Sequence, residues 1–309
     1  GSLATPQLLV ALRDERLDPL QRSRVARALG HLGDEEALPF LIDALFEQQR
    51  GSVEGYVEAI ASLGEKALPA LIKALEGRDI TANAPVVAAL VKIGSPAVQP
   101  LLEAIAGNAP EVRNAAVRAL ERLGEPAIAP LTQALLFDDR FEVRRRALQV
   151  LGHIGEKHAI KALIEALDDE DLGVRVNAAR HLGHLGNGAA IPALIGILEG
   201  EEESLSLRRA AIDSLGSIGD SRSILPLLPS LREPNLREAT LGALVSFGGR
   251  VVEPLVRTLH DAETPEEIRD GIWEVLQRVG TGARPSDESY LGLARGYTDL
   301  KYDDLSLQE

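Results

Sequence analysis

Apolar residues along the chain recur with the period of an α-helix, and the helical segments come in pairs. Before position 124 the apolar positions are Val112, Ala115, Ala116, Ala119, Leu120 and Leu123. After it they are Ala127, Ile128, Leu131, Ala134 and Leu135. Spacings of three and four give each segment one buried helix face, and the short link between the segments makes them antiparallel. No stretch alternates apolar and polar residues, so no strand is predicted.

A glycine at the end of the first helix of each pair marks a tandem repeat. Successive members are 29 to 33 residues apart, and they are Gly33, Gly64, Gly94, Gly124, Gly155, Gly186, Gly219, Gly248 and Gly280. Glycine adopts the left-handed conformation that ends a helix at little cost. A proline then falls in the first turn of most second helices: Pro39, Pro69, Pro100, Pro130, Pro192, Pro226 and Pro254. The pattern predicts about nine helical hairpins, each made of a helix A and a helix B.

An arginine also recurs, eleven residues before the glycine. Its members are Arg22, Arg113, Arg144, Arg175, Arg208, Arg237 and Arg269. Acidic residues cluster just upstream of several of them, where a carboxylate favours the positive end of a helix. We expect the arginines to bridge to acids of the neighbouring repeat and to be structural.

Two segments carry a family resemblance. Residues 111–120 and 174–183 resemble the short HEAT-like repeats first associated with phycobilisome lyases. The resemblance covers about residues 5 to 280 and implies an all-α, right-handed α-solenoid of about nine HEAT-like hairpins. We expect residues 1–280 to form this solenoid and residues 281–309 to form a C-terminal cap or tail. Relatives with this scaffold attach chromophores, hydroxylate with a metal, excise DNA lesions or bind proteins.

Composition narrows these functions. The 33 basic and 47 acidic residues give a net charge of −14, which repels phosphate backbones, so a nucleic acid partner is not expected. The absence of cysteine removes disulfides, thiolate zinc sites and thiol nucleophiles. No apolar run approaches the roughly 20 residues of a membrane span. Since no phosphate loop or activated nucleophile is present either, we expect no catalytic residue and no cofactor.

Three histidines are possible metal ligands. His181 and His184 lie three residues apart on one helix, and His153 takes the position of His184 one repeat earlier. Three imidazoles could hold zinc or iron. However, His31 takes the same repeat position without companions, and a histidine suits the negative end of a helix. Deoxyhypusine hydroxylase, a relative with this scaffold, depends on His-Glu pairs, and no histidine here precedes a glutamate. We therefore expect no metal site.

The second and third repeats depart from the pattern. Val53 and Asn83 replace the recurring arginine, Tyr56 stands where other repeats have alanine, and Pro85 falls in the first turns of a helix A. A proline there should shorten or displace the helix. One interpretation is a groove or bend near residues 46 to 86 that receives a partner. The other is ordinary divergence of the repeat, with Tyr56 filling a gap.

The favoured function is a non-enzymatic scaffold that binds a protein or peptide on its helix B face or on a rim of acidic loops. The candidate contact residues are Phe40, Asp43, Tyr56, Lys73, Glu103, Gln133, Glu165, Glu201, Glu202, Glu203, Tyr290 and Tyr297. The alternative is a protein similar to the phycobilin lyases, which would hold a tetrapyrrole. Its propionates would need Arg or Lys and its rings would need aromatic side chains.

Overall fold

The structure is a computed structural model that describes residues 4–14, 16–47, 53–79, 81–155, 159–200 and 203–280. Within these ranges the chain forms α-helices and short 3-10 helices, with no strand. The all-α class predicted from the apolar period is therefore confirmed. The chain divides after Asn177 into two compact units.

The first unit is a succession of helical hairpins. Its helices are α1 (Thr5–Leu12), α2 (Pro19–Leu32), α3 (Leu38–Glu47), α4 (Val53–Ser62), α5 (Leu68–Ala74), α6 (Ala84–Ile93), α7 (Val98–Ala106), α8 (Pro110–Leu123), α9 (Glu125–Phe137), α10 (Phe141–Ile154) and α11 (Ala159–Glu165). The A helices α2, α4, α6, α8 and α10 pack in sequence as one layer, and the B helices α3, α5, α7, α9 and α11 pack in sequence as another. This layering is that of an α-solenoid.

The second unit repeats the plan. Helix α12 (Leu172–Leu185) contains the point at which the two units divide. The helices that follow are α13 (Ile191–Glu199), α14 (Leu205–Ile218), α15 (Ile224–Leu227), α16 (Pro234–Ser246), α17 (Val252–Leu259) and α18 (Glu266–Gly280). Helices α14, α16 and α18 form the A layer, and α13, α15 and α17 form the B layer. The predicted cap or tail at 281–309, with Tyr290 and Tyr297, lies outside the described residues.

Short 3-10 helices join many of these elements: Glu35–Ala37, Gly64–Ala67, Ser95–Ala97, Ala166–Asp168, Gly188–Ala190, Ser221–Ser223, Leu228–Arg232 and Gly248–Val251. The recurring glycines from Gly33 to Gly248 all have positive φ, as predicted for residues that end a helix. Each hairpin thus turns at a residue that tolerates the left-handed conformation.

The core consists of aliphatic side chains between the two layers, such as Leu41, Leu71, Leu101 and Leu131, all with no exposed surface. Glycine and alanine allow the A helices to approach closely. A Cβ atom added at Gly30 would lie 2.5 Å from the backbone of Ala59. No single helix in the described part of the chain is long and apolar enough to cross a membrane, although two sharply bent helix pairs (residues 84–106 and 234–259) together meet that length and composition.

Candidate functional site

The recurring arginines close the ends of the B helices. Arg113 donates to the carbonyls of Gly107 and Asn108 at 3.0 and 2.6 Å. Arg144 donates to the carbonyl of Asp138 at 2.9 Å. Gly107 and Asn108 follow α7 and Asp138 follows α9, so the arginine of the following A helix supplies donors to carbonyls just beyond the end of each B helix.

Some of these arginines also bridge to acids, as the sequence predicted. Arg144 pairs with Asp169 at 2.8 Å, and both side chains are over nine-tenths buried. In the second unit, Arg237 pairs with Glu274 at 3.2 Å. The hydrogen bonds that Arg144 donates to the Asp169 carboxylate raise the pKa of Arg144. The recurring arginines therefore have a structural role, and the sequence interpretation missed their contacts with carbonyls.

In the third repeat an asparagine takes the place of the arginine that binds these carbonyls. Asn83 is buried and its Nδ2 donates to the carbonyls of Leu75 and Arg78, both at 3.1 Å. Helix α6 begins only at Ala84 and has ten residues, whereas α8 and α10 have fourteen. Helix α6 is shorter than α8 and α10, as expected if Pro85 shortens or displaces it, and α4, which has no proline, also has ten residues.

Tyr56 is a candidate for partner contact by sequence, and the structure corrects that assignment. The side chain lies in α4 with no exposed surface and is the largest fully buried side chain of the described residues. A partner cannot reach it in this fold. The burial agrees with the other interpretation, in which Tyr56 fills space that alanine leaves elsewhere.

An open groove of about 510 Å³ lies on the helix B face of the first unit, between α5, α7 and the start of α8. Its lining residues are Leu68, Pro69, Ile72, Glu76, Pro100, Glu103, Ala104, Gly107, Asn108, Ala109 and Val112. The floor is mostly apolar. Glu76 and Glu103 are exposed, and neither forms an ion pair with a described residue.

Hydrogen bonds hold the groove's end in place. Helix α7 stops at Ala106, and Gly107 is extended. Arg146 donates to the carbonyl of Ile105 at 2.9 Å, beside the carbonyl contacts of Arg113. Burial, together with the charge of Arg113, lowers the pKa of Arg146. These hydrogen bonds hold the end of α7 in place.

The two sides of the groove are also linked. The backbone N–H of Gly77, beyond the end of α5, donates to the Glu111 carboxylate in α8 at 3.1 Å. Hydrogen bonds from backbone N–H groups lower the pKa of Glu111. The link spans 34 positions in the sequence and connects the end of α5 with the start of α8.

The predicted helix B residues fall into a row on the B layer of the first unit. Asp43, Lys73, Glu103, Gln133 and Glu165 are exposed in α3, α5, α7, α9 and α11. Of these, Glu103 is a groove residue. The sequence therefore identified one groove residue, whereas the apolar floor carried no signal that distinguished it from ordinary core positions.

The remaining candidates lie elsewhere. Phe40 is half-buried beneath the guanidinium of Arg13, 4.4 Å from the ring centroid. Glu203 is half-buried at the end of the turn before α14, and its backbone N–H donates to Gly200. Glu201 and Glu202 lie outside the described residues. The expected groove near residues 46 to 86 coincides with the observed one only over residues 68–76.

The three histidines do not all lie in one unit. His153, in the first unit, is exposed and its Nδ1 lies within hydrogen-bonding distance of Glu121. His181 and His184 belong to the second unit, where His184 is exposed and His181 half-buried. Within the described ranges, no group of three or more His, Asp or Glu residues could hold a metal ion.

Two family models match the repeats of this chain. The model of HEAT repeats matches residues 54–121, 99–175, 128–205 and 160–244, and the model of the PBS lyase HEAT-like repeat matches residues 21–47. No curated protein matches the chain.

Two solved structures illustrate the structural similarity. Human deoxyhypusine hydroxylase in complex with glycerol is 24% identical over 80% of this chain and 98% of its own, with a TM-score of 0.37. Kap121p is 13% identical over 93% of this chain, with a TM-score of 0.48, and the match spans 43% of the Kap121p chain.

Proposed function

The chain belongs to the HEAT repeat family, and we propose that it is a non-enzymatic scaffold that binds a segment of a partner protein in the groove between α5 and α7. The observation that carries the proposal is the groove's combination of an apolar floor with two exposed carboxylates. Repeat scaffolds characteristically bind along such extended faces. A volume of about 510 Å³ accommodates one or two side chains of a bound segment.

The lining defines the chemistry of the partner. Pro69, Ile72 and Pro100 offer accessible apolar contact, which favours a large aliphatic or aromatic anchor. Glu76 and Glu103 stand beside that floor and favour a lysine or arginine next to the anchor. The net charge of −14 disfavours a nucleic acid. A basic, partly apolar protein segment is the proposed ligand.

The alternative of a bilin-binding protein gains no support from this groove. Its lining contains no aromatic ring and no Arg or Lys, the groups that a tetrapyrrole and its propionates would need. Titration with a bilin is the direct test of the alternative. A shifted and intensified visible band would favour it, and an unchanged spectrum would favour the scaffold.

Selection from a displayed peptide library tests the groove and requires no candidate partner. We expect enrichment of peptides with an apolar residue next to lysine or arginine. Glu103→Arg should weaken the best peptide by about tenfold or more, because it reverses a charge at the groove. Gln133→Arg is the matched control, since it adds the same side chain at the same repeat position in α9, outside the groove. Equal effects of the two substitutions would refute the assignment.

A further inference from the structure

Two phenylalanines are exposed on one turn of the first unit. Phe137 ends α9 and is 75% exposed, and Phe141 begins α10 and is 41% exposed. The chain has only five phenylalanines, and two of them are exposed at adjacent helix ends. A high phenylalanine content therefore does not explain their exposure. One repeat earlier the equivalent positions hold Gly107 and Pro110. The fold therefore does not require a ring at either position.

The turn between the two rings is held by its own hydrogen bonds. Asp138 accepts from the backbone N–H of Arg140 at 2.9 Å and from its guanidinium at 2.9 and 2.8 Å. Arg144 donates to the carbonyl of Asp138 at 2.9 Å. These contacts hold the backbone of the turn, so the two helix ends need not rearrange when a partner binds.

Arg145 lies between Phe141 and the next repeat, where a further apolar residue is exposed. The guanidinium of Arg145 lies 5.8 Å from the centroid of the Phe141 ring. The same side chain comes within 3.0 Å of the point where a Cβ atom of Gly173 would stand, so the glycine makes room for it. Leu172, the neighbour of Gly173, is 37% exposed. We call Phe137, Phe141 and Leu172 the Phe137 edge.

Carboxylates without a counter-ion surround this edge. Asp139, Glu142 and Asp168 are exposed, and none forms an ion pair with a residue that the structure describes. Arg140 is paired with Asp138, and the exposed Arg145, which forms no ion pair with a described residue, lies over the Phe141 ring. A partner that covers the rings therefore meets unpaired carboxylates.

We infer that the Phe137 edge is a second docking surface, which binds a basic segment of a partner protein through a large apolar side chain of that segment. Aromatic side chains in exposed, fixed positions are typical anchors of protein interfaces. The surrounding carboxylates select lysine or arginine on either side of the anchor and repel a nucleic acid. This surface is separate from the groove, and neither depends on the other.

A defined probe tests the surface. The probe is a fluorescein-labelled peptide of sequence KKWLKK, and its binding is followed by anisotropy with the full chain carrying Glu103→Arg, which weakens binding in the groove. We expect saturable binding that weakens at least about tenfold in the double variant Phe137→Ser with Phe141→Ser. Leu225→Ser is the control, because it removes a 53% exposed leucine from the other unit.

A charge-reversal variant provides an independent test if the double serine variant does not fold. Asp139→Lys with Asp168→Lys should weaken KKWLKK, and the acidic peptide EEWLEE should not bind the parent chain. No binding of KKWLKK at about 1 mM would overturn the proposal, as would equal affinities in the parent and both double variants. A dimer in sedimentation velocity that the serine substitutions abolish would assign the surface to a second copy and overturn it too.

Discussion

At the residue scale, glycines of the A helices occupy sites with opposite requirements. Gly216 in α14 faces α16, where an added Cβ atom would lie 2.9 Å from the Cα atom of Ala243. Gly242 in α16 is exposed, and an added Cβ atom would have no neighbour within 4 Å. Close approach of the helices therefore requires glycine at position 216 and not at position 242.

Alanine substitutions should separate these two glycines. Gly242→Ala should stabilise the protein by about 0.5–1 kcal/mol, because alanine loses less entropy in a helix. Gly216→Ala should destabilise it by about 1–3 kcal/mol, because the backbone of Ala243 must move. Urea unfolding of both variants measures the difference. Equal effects would show that the spacing between α14 and α16 does not depend on Gly216.

Tyr56 gives a second prediction at this scale. Because the side chain is fully buried, Tyr56→Ala should leave a cavity and cost about 3–5 kcal/mol of unfolding free energy. Asp43→Ala, at an exposed position of α3, should change stability by less than about 0.5 kcal/mol. If Tyr56→Ala weakened a partner with unchanged stability, Tyr56 would be a contact residue after all.

At the element scale, the hairpins depend on arginines that donate hydrogen bonds to carbonyls at the ends of the B helices. Periodicity, glycine and proline were sufficient to predict the pairs of helices and their turns, because these signals are local. The carbonyl contacts of Arg113 and Arg144 were missed, although each arginine lies six residues after the first carbonyl that it binds. Backbone acceptors have no sequence signature. The groove was mostly missed because it depends on the distance between α5 and α7, which no local pattern encodes.

Removing one of these arginines should lower the free energy of unfolding. Arg144→Ala removes the partner of a buried carboxylate, Asp169, and should cost about 3–5 kcal/mol. Arg113→Ala removes only contacts with carbonyls from a half-buried position and should cost less, about 1–3 kcal/mol. Chemical denaturation, together with hydrogen exchange of α9 and α10, measures both. A smaller cost at Arg144 than at Arg113 would contradict the role given to the buried pair.

At the scale of the whole molecule, carboxylates determine the response to acid. Hydrogen bonds from Arg16 lower the pKa of Asp14 to about 2, and those from Arg222 do the same for Asp220. Since the unfolded chain binds these protons first, their stabilisation is present above the ordinary pKa and is lost as pH falls. Burial raises the pKa of Asp213, which has the opposite effect.

The melting temperature should therefore fall between about pH 4 and about pH 2, because the lowered pKa values outnumber the raised one. Asp220→Asn should make the fall shallower, since the asparagine does not titrate. Differential scanning calorimetry across this range provides the measurement. A melting temperature that is constant or rises on acidification would contradict the assignment of these carboxylates.

The central claim is that a partner segment binds in the groove between α5 and α7, and site-specific photo-crosslinking tests it most directly. Benzoylphenylalanine replaces Glu103 in one protein and Gln133 in another, and each is irradiated with the tightest peptide from the library selection. We expect a covalent adduct from position 103, at the groove, and little or none from position 133, outside it. Adduct from position 133 alone, or equally from both positions, would contradict binding in this groove.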